Sequence, residues 1–142
     1  MSSDRPQHWL FKEEPSHYSF HQLVSDGRTV WDGITNNLAL KNLRSVRKGD
    51  LAFLYHSGDE RAIVGIVETT SSAYPDPKLG DERFMVVDVK PVRALERPVA
   101  LNEMKSDPKF ATFDLLRLPR LSVMRVSPDI WEGVLALARS RV

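Results

Sequence analysis

Leu51-Ala52-Phe53-Leu54-Tyr55-His56, Ser57-Gly58-Asp59-Glu60-Arg61 and Ala62-Ile63-Val64-Gly65-Ile66-Val67 follow one another without a break. Two apolar runs rich in aromatic and β-branched residues flank a short polar loop with a glycine, a pattern that predicts two antiparallel strands joined as a hairpin. Both faces of the first run are largely apolar. A strand of that kind belongs where a sheet curls around a core and carries helices on its outside. A third strand is expected over residues 84–92, after a loop over 74–82 that holds Pro75, Pro77 and Gly80.

Upstream of the hairpin, His8-Trp9-Leu10-Phe11-Lys12 reads as a short strand that stops at Glu13-Glu14-Pro15. Ser19 is placed to cap a helix running through Val24 and ended by Gly27. Thr29-Val30-Trp31 is a second extended piece. Over 36–46, Leu38, Ala39, Leu43 and Val46 recur at helical intervals, and Gly49 can close that helix. Downstream, the pattern predicts a short helix over 101–105, a turn at Asp107-Pro108 and an extended piece over 121–126. A last helix has Ser127 as its cap, Pro128 at its first position and an apolar stripe of Ile130, Trp131, Val134, Leu135 and Ala138. Strands interrupted by helices without regular βαβ alternation indicate an α+β curled sheet or small barrel. A Rossmann arrangement is disfavoured, because no glycine-rich phosphate loop follows a strand.

The chain has 142 residues, 42% hydrophobic and 27% charged, the balance of an ordinary globular domain with one core. A single domain is expected over 6–140, preceded by a flexible stretch over 1–5. With no cysteine, disulfide scaffolds, thiolate nucleophiles and cysteine-based zinc sites are excluded. No apolar run approaches the ~20 residues needed to cross a bilayer, and the opening residues lack the apolar stretch of a secretory signal. A cytoplasmic, monomeric protein with no membrane partner is expected. The net charge of +1 implies that any nucleic-acid contact is local rather than a broad electrostatic grip. Lys41, Arg44, Arg47 and Lys48 nevertheless lie together without an intervening acid, and at helical spacing 41, 44 and 48 share a face. They are either a solvated helix face or candidate phosphate contacts.

Four constellations could carry chemistry. Trp31-Asp32-Gly33 with Asn36 combines a large π face, on which base stacking is worth about 1–3 kcal/mol, with a carboxylate and an amide able to read a base's hydrogen-bonding edge. Gly33 would let a backbone approach closely. The same residues are also readable as a core tryptophan followed by an aspartate that caps the next helix. Tyr55-His56-Ser57 at a strand end suits the rim of a small pocket. Adjacent strand residues point to opposite faces, so His56 and Ser57 are poorly placed as base and nucleophile, unless Ser57 lies just beyond the strand. His17 and His21 lie four apart near Glu13 and Glu14, but Ser19 as helix start leaves His17 outside the helix, and no zinc-protease pattern is present. Neither a metal nor a cofactor is therefore expected. Trp9 and Lys12 fall on opposite faces of their strand, and Lys12 could meet a phosphate or a carboxylate.

Taken in order, these segments resemble the EVE family of PUA-like domains. The resemblance is carried by residues 8–15, Trp31-Asp32-Gly33-Ile34, residues 48–57, Ala73-Tyr74-Pro75-Asp76-Pro77, Val87-Asp88-Val89 and Arg120-Leu121-Ser122-Val123. It implies a PUA-like curled β-barrel of about five to six strands with peripheral helices. It also implies a non-catalytic module with a pocket for a modified base in DNA or RNA, related to the pockets of YTH and SRA-type readers. Matched position by position, the pocket candidates are Trp31, Asp32, Tyr55, His56, Ser57 and Ser122, with Trp9 and Lys12 as secondary ones. Many family members follow Trp-Asp-Gly with Arg-Asn-Tyr-Gln-Ala-Arg-Asn, whereas here Thr35-Asn36-Asn37-Leu38-Ala39-Leu40-Lys41 stands there and matches at Asn36 but lacks the first Arg, the Tyr and the Gln. Two other readings compete: an enzyme using Asp32, His56 and Ser57 on a nucleoside or nucleotide, and a protein-interaction domain docking through 41–48.

Overall fold

The computed structural model describes residues 6–139; the expected flexible stretch 1–5 and position 140 lie outside the described residues. The chain runs β1 (His8–Glu13), α1 (Phe20–Asp26), β2 (Thr29–Trp31), α2 (Asn37–Arg44), β3 (Leu51–His56), β4 (Ala62–Thr69), β5 (Tyr74–Pro75) and β6 (Met85–Ala100). It continues with α3 (Leu101–Lys105), a 3-10 turn at Pro108–Phe110, α4 (Asp114–Arg117), β7 (Val123–Arg125) and α5 (Pro128–Arg139). Six strands form one sheet in the order β2-β6-β4-β3-β1-β7, with β5 paired to β6 beside it. Only β1 and β3 run parallel among these pairs.

Three strands separate β1 from β2 in the sheet order, yet Phe11 of β1 stacks on Trp31 of β2 with ring centroids 5.9 Å apart. A flat sheet would hold those strands about 20 Å apart at the usual spacing of neighbours. The sheet is therefore curled into a half-barrel around an aromatic interior. Helix α5 covers the outside and α1 packs on the inner face, as the doubly apolar β3 requires. Phe53 stacks on Trp131 of α5 at 3.8 Å, and His56 accepts a hydrogen bond from the Phe20 backbone N–H at the start of α1. Gly65 on β4 permits the approach of α1, since a Cβ there would lie 2.5 Å from the Phe20 ring.

The hairpin, β1, β2, α1, α3 and α5 form where the sequence places them. Ser19 caps α1 by accepting from the Gln22 N–H, and Gly27 ends it in the left-handed region at φ 81°. Four differences from the expected pattern appear. The third strand runs to Ala100 rather than 92, because β4 goes on pairing with it at Gly65↔Ala94, Ile63↔Val99 and Ala62↔Ala100 across a shift in register. The second helix ends at Arg44 with Ser45 as its cap. Val46 is buried beyond it, and Gly49 serves the turn into β3 by donating to the Thr69 carbonyl. Leu38, assigned to that helix's apolar stripe, is 44% exposed. The four-residue α4 is too short to leave a periodic signal.

Below the curled sheet, Asp50 is a buried junction. Its Oδ1 accepts from the Gln7 N–H at 3.0 Å, and its Oδ2 accepts from the Trp9 indole N–H and the Arg47 N–H, both at 2.9 Å. The Asp50 N–H in turn donates to Thr69 Oγ1. One carboxylate thus joins the first strand, the turn after α2 and the end of β4.

His8 packs against Trp131 with ring centroids 4.2 Å apart. Burial lowers its pKa below the ordinary 6.5, with Asp50 and Glu132 opposing that shift. The unfolded chain therefore binds more protons at this site between the lowered pKa and 6.5, so stability falls as pH drops through that window. The penalty is complete once the folded-state imidazole has also protonated. Denaturant midpoints at pH 7.5 and 5.5 should lie closer together in His8→Gln than in the wild type. An unchanged difference would remove His8 as its source.

Candidate functional site

β2 is three residues long and forms the edge of the sheet. A cleft of about 330 Å3 opens beside it. β2 contributes Thr29, Val30 and Trp31; the turn that follows contributes Asp32, and the end of β1 contributes Glu13. His17 and Tyr18 come from the loop after β1, and Lys78 from the loop after β5. Gly33, at φ 78°, turns the chain away immediately after Asp32 and leaves that carboxylate exposed at the rim.

Trp31 is 4% exposed. Its indole lies on Phe11 and meets the Tyr18 ring edge-on at 6.1 Å, so it is both a core residue and the floor of the cleft. Asp32 does not cap the following helix. Asn36 does, accepting from the Ala39 N–H at 2.9 Å, and Asn36 lines a separate apolar groove of about 320 Å3 with Leu38, Leu118 and Leu121. The departure from the family pattern over 35–41 thus places a leucine, Leu38, in that groove.

The charges at the cleft are partly paired. His17 Nδ1 lies 2.8 Å from Glu13 Oε2, while Lys78 is exposed and forms no ion pair among the described residues. The Tyr18 hydroxyl donates to Asp26 Oδ2 at 2.8 Å. Burial and that bond push its pKa above the usual phenol value, against an opposing contribution from Thr29, so the ring is neutral at physiological pH.

The other expected residues gather elsewhere or serve the fold. Lys12 lies across β1 from Glu13. Its Nζ donates to the Pro119 carbonyl at 2.6 Å and sits 5.8 Å from the Tyr55 ring centroid, and its backbone N–H donates to the Ser122 carbonyl. Burial holds the Lys12 ammonium below the ordinary lysine range and raises the Tyr55 phenol, the latter opposed by Arg61. Lys12, Tyr55 and Ser122 are therefore one group, and none of them lines the Trp31 cleft. Ser57 is nearer to it, since its backbone N–H donates to the Glu13 carbonyl at 2.9 Å. Trp9 is 1% exposed with its indole N–H on Asp50, which makes it core rather than pocket. Lys41, Arg44, Arg47 and Lys48 are exposed but do not line the cleft, and Arg44 and Arg47 fold back onto the carbonyls of Arg83 and Arg44 respectively.

His56 is not placed to act as a base toward Ser57, and neither residue lines the cleft that holds Asp32. His56 is 6% exposed; its Nε2 accepts from the Phe20 N–H at 3.0 Å and its Nδ1 lies 2.8 Å from Glu60 Oε1. Both ring nitrogens are engaged, so the imidazole has no lone pair for Ser57. The sequence pattern does not single out Glu13, Tyr18, Thr29, Val30 or Lys78 for the site, and it presents His17 only as a metal-ligand candidate. The spacing of Glu13 and His17 is the one local signal that could have indicated their pairing. Lys78 reaches the cleft through long-range folding.

The family model of the EVE domain matches residues 7–137. This chain belongs to the EVE domain family. The half-barrel is the PUA-like fold of EVE domains. A solved structure from Rhodopseudomonas palustris superposes on this EVE domain with a TM-score of 0.88 at 38% identity, covering 93% of this chain and 92% of the other. The human THYN1 protein, solved in complex with DNA containing 5-methylcytosine, gives a TM-score of 0.88 at 28% identity over 96% of this chain and 99% of that one. Chicken thymocyte nuclear protein 1 is 29% identical over 94% of this chain, and the match spans 69% of the chicken protein. Among the described residues, no helix of this EVE domain is long and apolar enough to cross a membrane.

Proposed function

We propose that this EVE domain is a non-catalytic nucleic-acid-binding module that holds one modified nucleobase, a methylated or hydroxymethylated cytosine or a methylated adenine, in the cleft at Trp31. The observation that carries this reading is the cleft itself: about 330 Å3 with an indole floor, at the lower end of the range of small-ligand sites. Asp32 and Glu13 offer acceptors for an exocyclic amino group, Val30 and the Trp31 and Tyr18 rings offer apolar surface to a methyl group, and Lys78 offers a cation to the phosphate. The likeness to human THYN1, solved with 5-methylcytosine DNA, supports the same ligand class.

The test is a panel of fluorescent single-stranded oligonucleotides, DNA and RNA, each carrying 5-methylcytosine, 5-hydroxymethylcytosine, N6-methyladenine or the unmodified base. One modification should bind at least about tenfold tighter than its control. Asp32→Ala, at an exposed position, should weaken that binding by about 10–100-fold, as expected for a lost hydrogen bond to a charged acceptor, without lowering the melting temperature. The salt slope should be shallow, reporting few phosphate contacts. Equal affinity for modified and unmodified strands would overturn the reading.

A further inference from the structure

A second cleft, of about 450 Å3, lies against the same edge strand. It is lined by Arg28, Thr29, Val30, Thr70, Tyr74 and Asp88, so Thr29 and Val30 belong to both clefts. Only β2 separates them. Val30 is paired in register with Asp88 and is 46% exposed, so its apolar side chain, with Thr29 beside it, stands between the clefts.

The chemistry of this second cleft is selective. Tyr74 is half-buried and its hydroxyl donates to Asp88 Oδ1 at 2.6 Å. That bond, with burial and the nearby carboxylates, pushes the phenol up to about 12, so Tyr74 remains a donor across the physiological range. The Asp88 main chain is fixed as well: its N–H donates to Ser71 Oγ and its carbonyl accepts from the Thr70 N–H. Asp88 Oδ2 has no hydrogen-bond partner among the described residues, and Arg28 is exposed and forms no ion pair among them. A carboxylate accepts and cannot donate. Guanine alone among the four common bases presents two adjacent donors, its N1–H and 2-amino group, on one edge. Adenine and cytosine offer one amino group beside an acceptor nitrogen that would face the carboxylate.

We infer that the cleft of Arg28, Tyr74 and Asp88 receives the nucleotide adjacent to the one held at Trp31, with Asp88 accepting from the edge of a guanine and Arg28 meeting its phosphate. This rests on the reading of the Trp31 cleft and extends it from one base to a dinucleotide step across β2. Lys78 on one side and Arg28 on the other then bracket the bound step.

The experiment uses the full chain and single-stranded 11-mers carrying each modified base of the panel at the centre, with all four bases placed in turn at the 5′ and 3′ neighbouring positions. On one side, guanine should raise affinity about 10–100-fold over the other bases, the discrimination of a two-point contact to a base edge. Asp88→Asn should flatten that preference while keeping the preference for the modified base. Arg28→Ala should weaken all contexts about equally and reduce the salt slope by about one. If wild type prefers a modified base yet binds all neighbours equally, the second subsite is refuted and the first stands. If it binds no modified strand above its control, both are refuted. Should Asp88→Asn fail to fold, the wild-type context series and Arg28→Ala still decide.

Discussion

Asp50→Ala is expected to cost on the order of 3–5 kcal/mol of folding stability, the largest loss we foresee from removing a polar side chain in this domain. The substitution leaves three donors without their acceptor: the Gln7 N–H, the Arg47 N–H and the Trp9 indole N–H. An orphaned buried donor costs about 1–3 kcal/mol, which falls chiefly on Trp9, 1% exposed, while the Gln7 and Arg47 N–H groups are part-buried. Asp50→Asn should be nearly as harmful. An amide presents one oxygen and one NH2, so its NH2 must face donors on one side of the junction. Against a total of about 5–15 kcal/mol for a typical domain, either change removes a large fraction of stability. A double-mutant cycle isolates the cause: Trp9→Phe deletes the indole donor, so Asp50→Ala should cost about 1–2 kcal/mol less in that background. A measured loss below about 1 kcal/mol for Asp50→Ala would show that water replaces the carboxylate, contrary to its burial.

The parts of the fold that were legible in the sequence are those whose signal is local. The hairpin was marked by two apolar runs around a glycine loop, α1 by Ser19 and Gly27, and α5 by Ser127, Pro128 and a helical stripe. In each case the residues that form the element also form its boundary. The continuation of β6 past 92 leaves no local signal, because Ala94, Val99 and Ala100 are held there by pairing with Gly65, Ile63 and Ala62 of β4. Leu38 fits the apolar stripe because periodicity reports the face of a helix and not what lies opposite that face. Here the facing surface is a groove with Leu118 and Leu121.

The site was legible to a smaller degree, for the same reason. Trp31 and Asp32 are adjacent in sequence and enter the cleft together. Glu13, Tyr18 and Lys78 join them only because the sheet curls and brings β1 and a distant loop against the edge strand. The mixed group of expected residues divides along β1: alternation sends Lys12 toward Tyr55 and Pro119 and leaves Glu13 at the Trp31 cleft. His56 has a separate explanation. A histidine at a strand end suggests a ligand, but its position beneath the first residue of α1 makes it a buried acceptor for the helix's Phe20 N–H.

Trp31→Ala should reduce both stability and base binding, and the two losses can be separated. The indole is packed between Phe11 and Tyr18, so truncation leaves a cavity and is expected to cost about 3–5 kcal/mol. If a base rests on the exposed strip of the same ring, binding should also fall by about 10–100-fold, from a stacking contribution of about 1–3 kcal/mol. Trp31→Phe distinguishes an effect of folding from one of contact, because a phenyl ring keeps an aromatic floor on Phe11 while filling less of the site. Binding in Trp31→Phe should drop less than about tenfold, and urea unfolding should place its stability between wild type and Trp31→Ala. Affinities are compared at a low temperature where circular dichroism finds each variant folded. A folded Trp31→Ala that binds modified oligonucleotides as tightly as wild type would remove the indole from the recognition surface. The cleft would then depend on its carboxylates alone, and Asp32→Ala would have to account for the whole of the affinity lost.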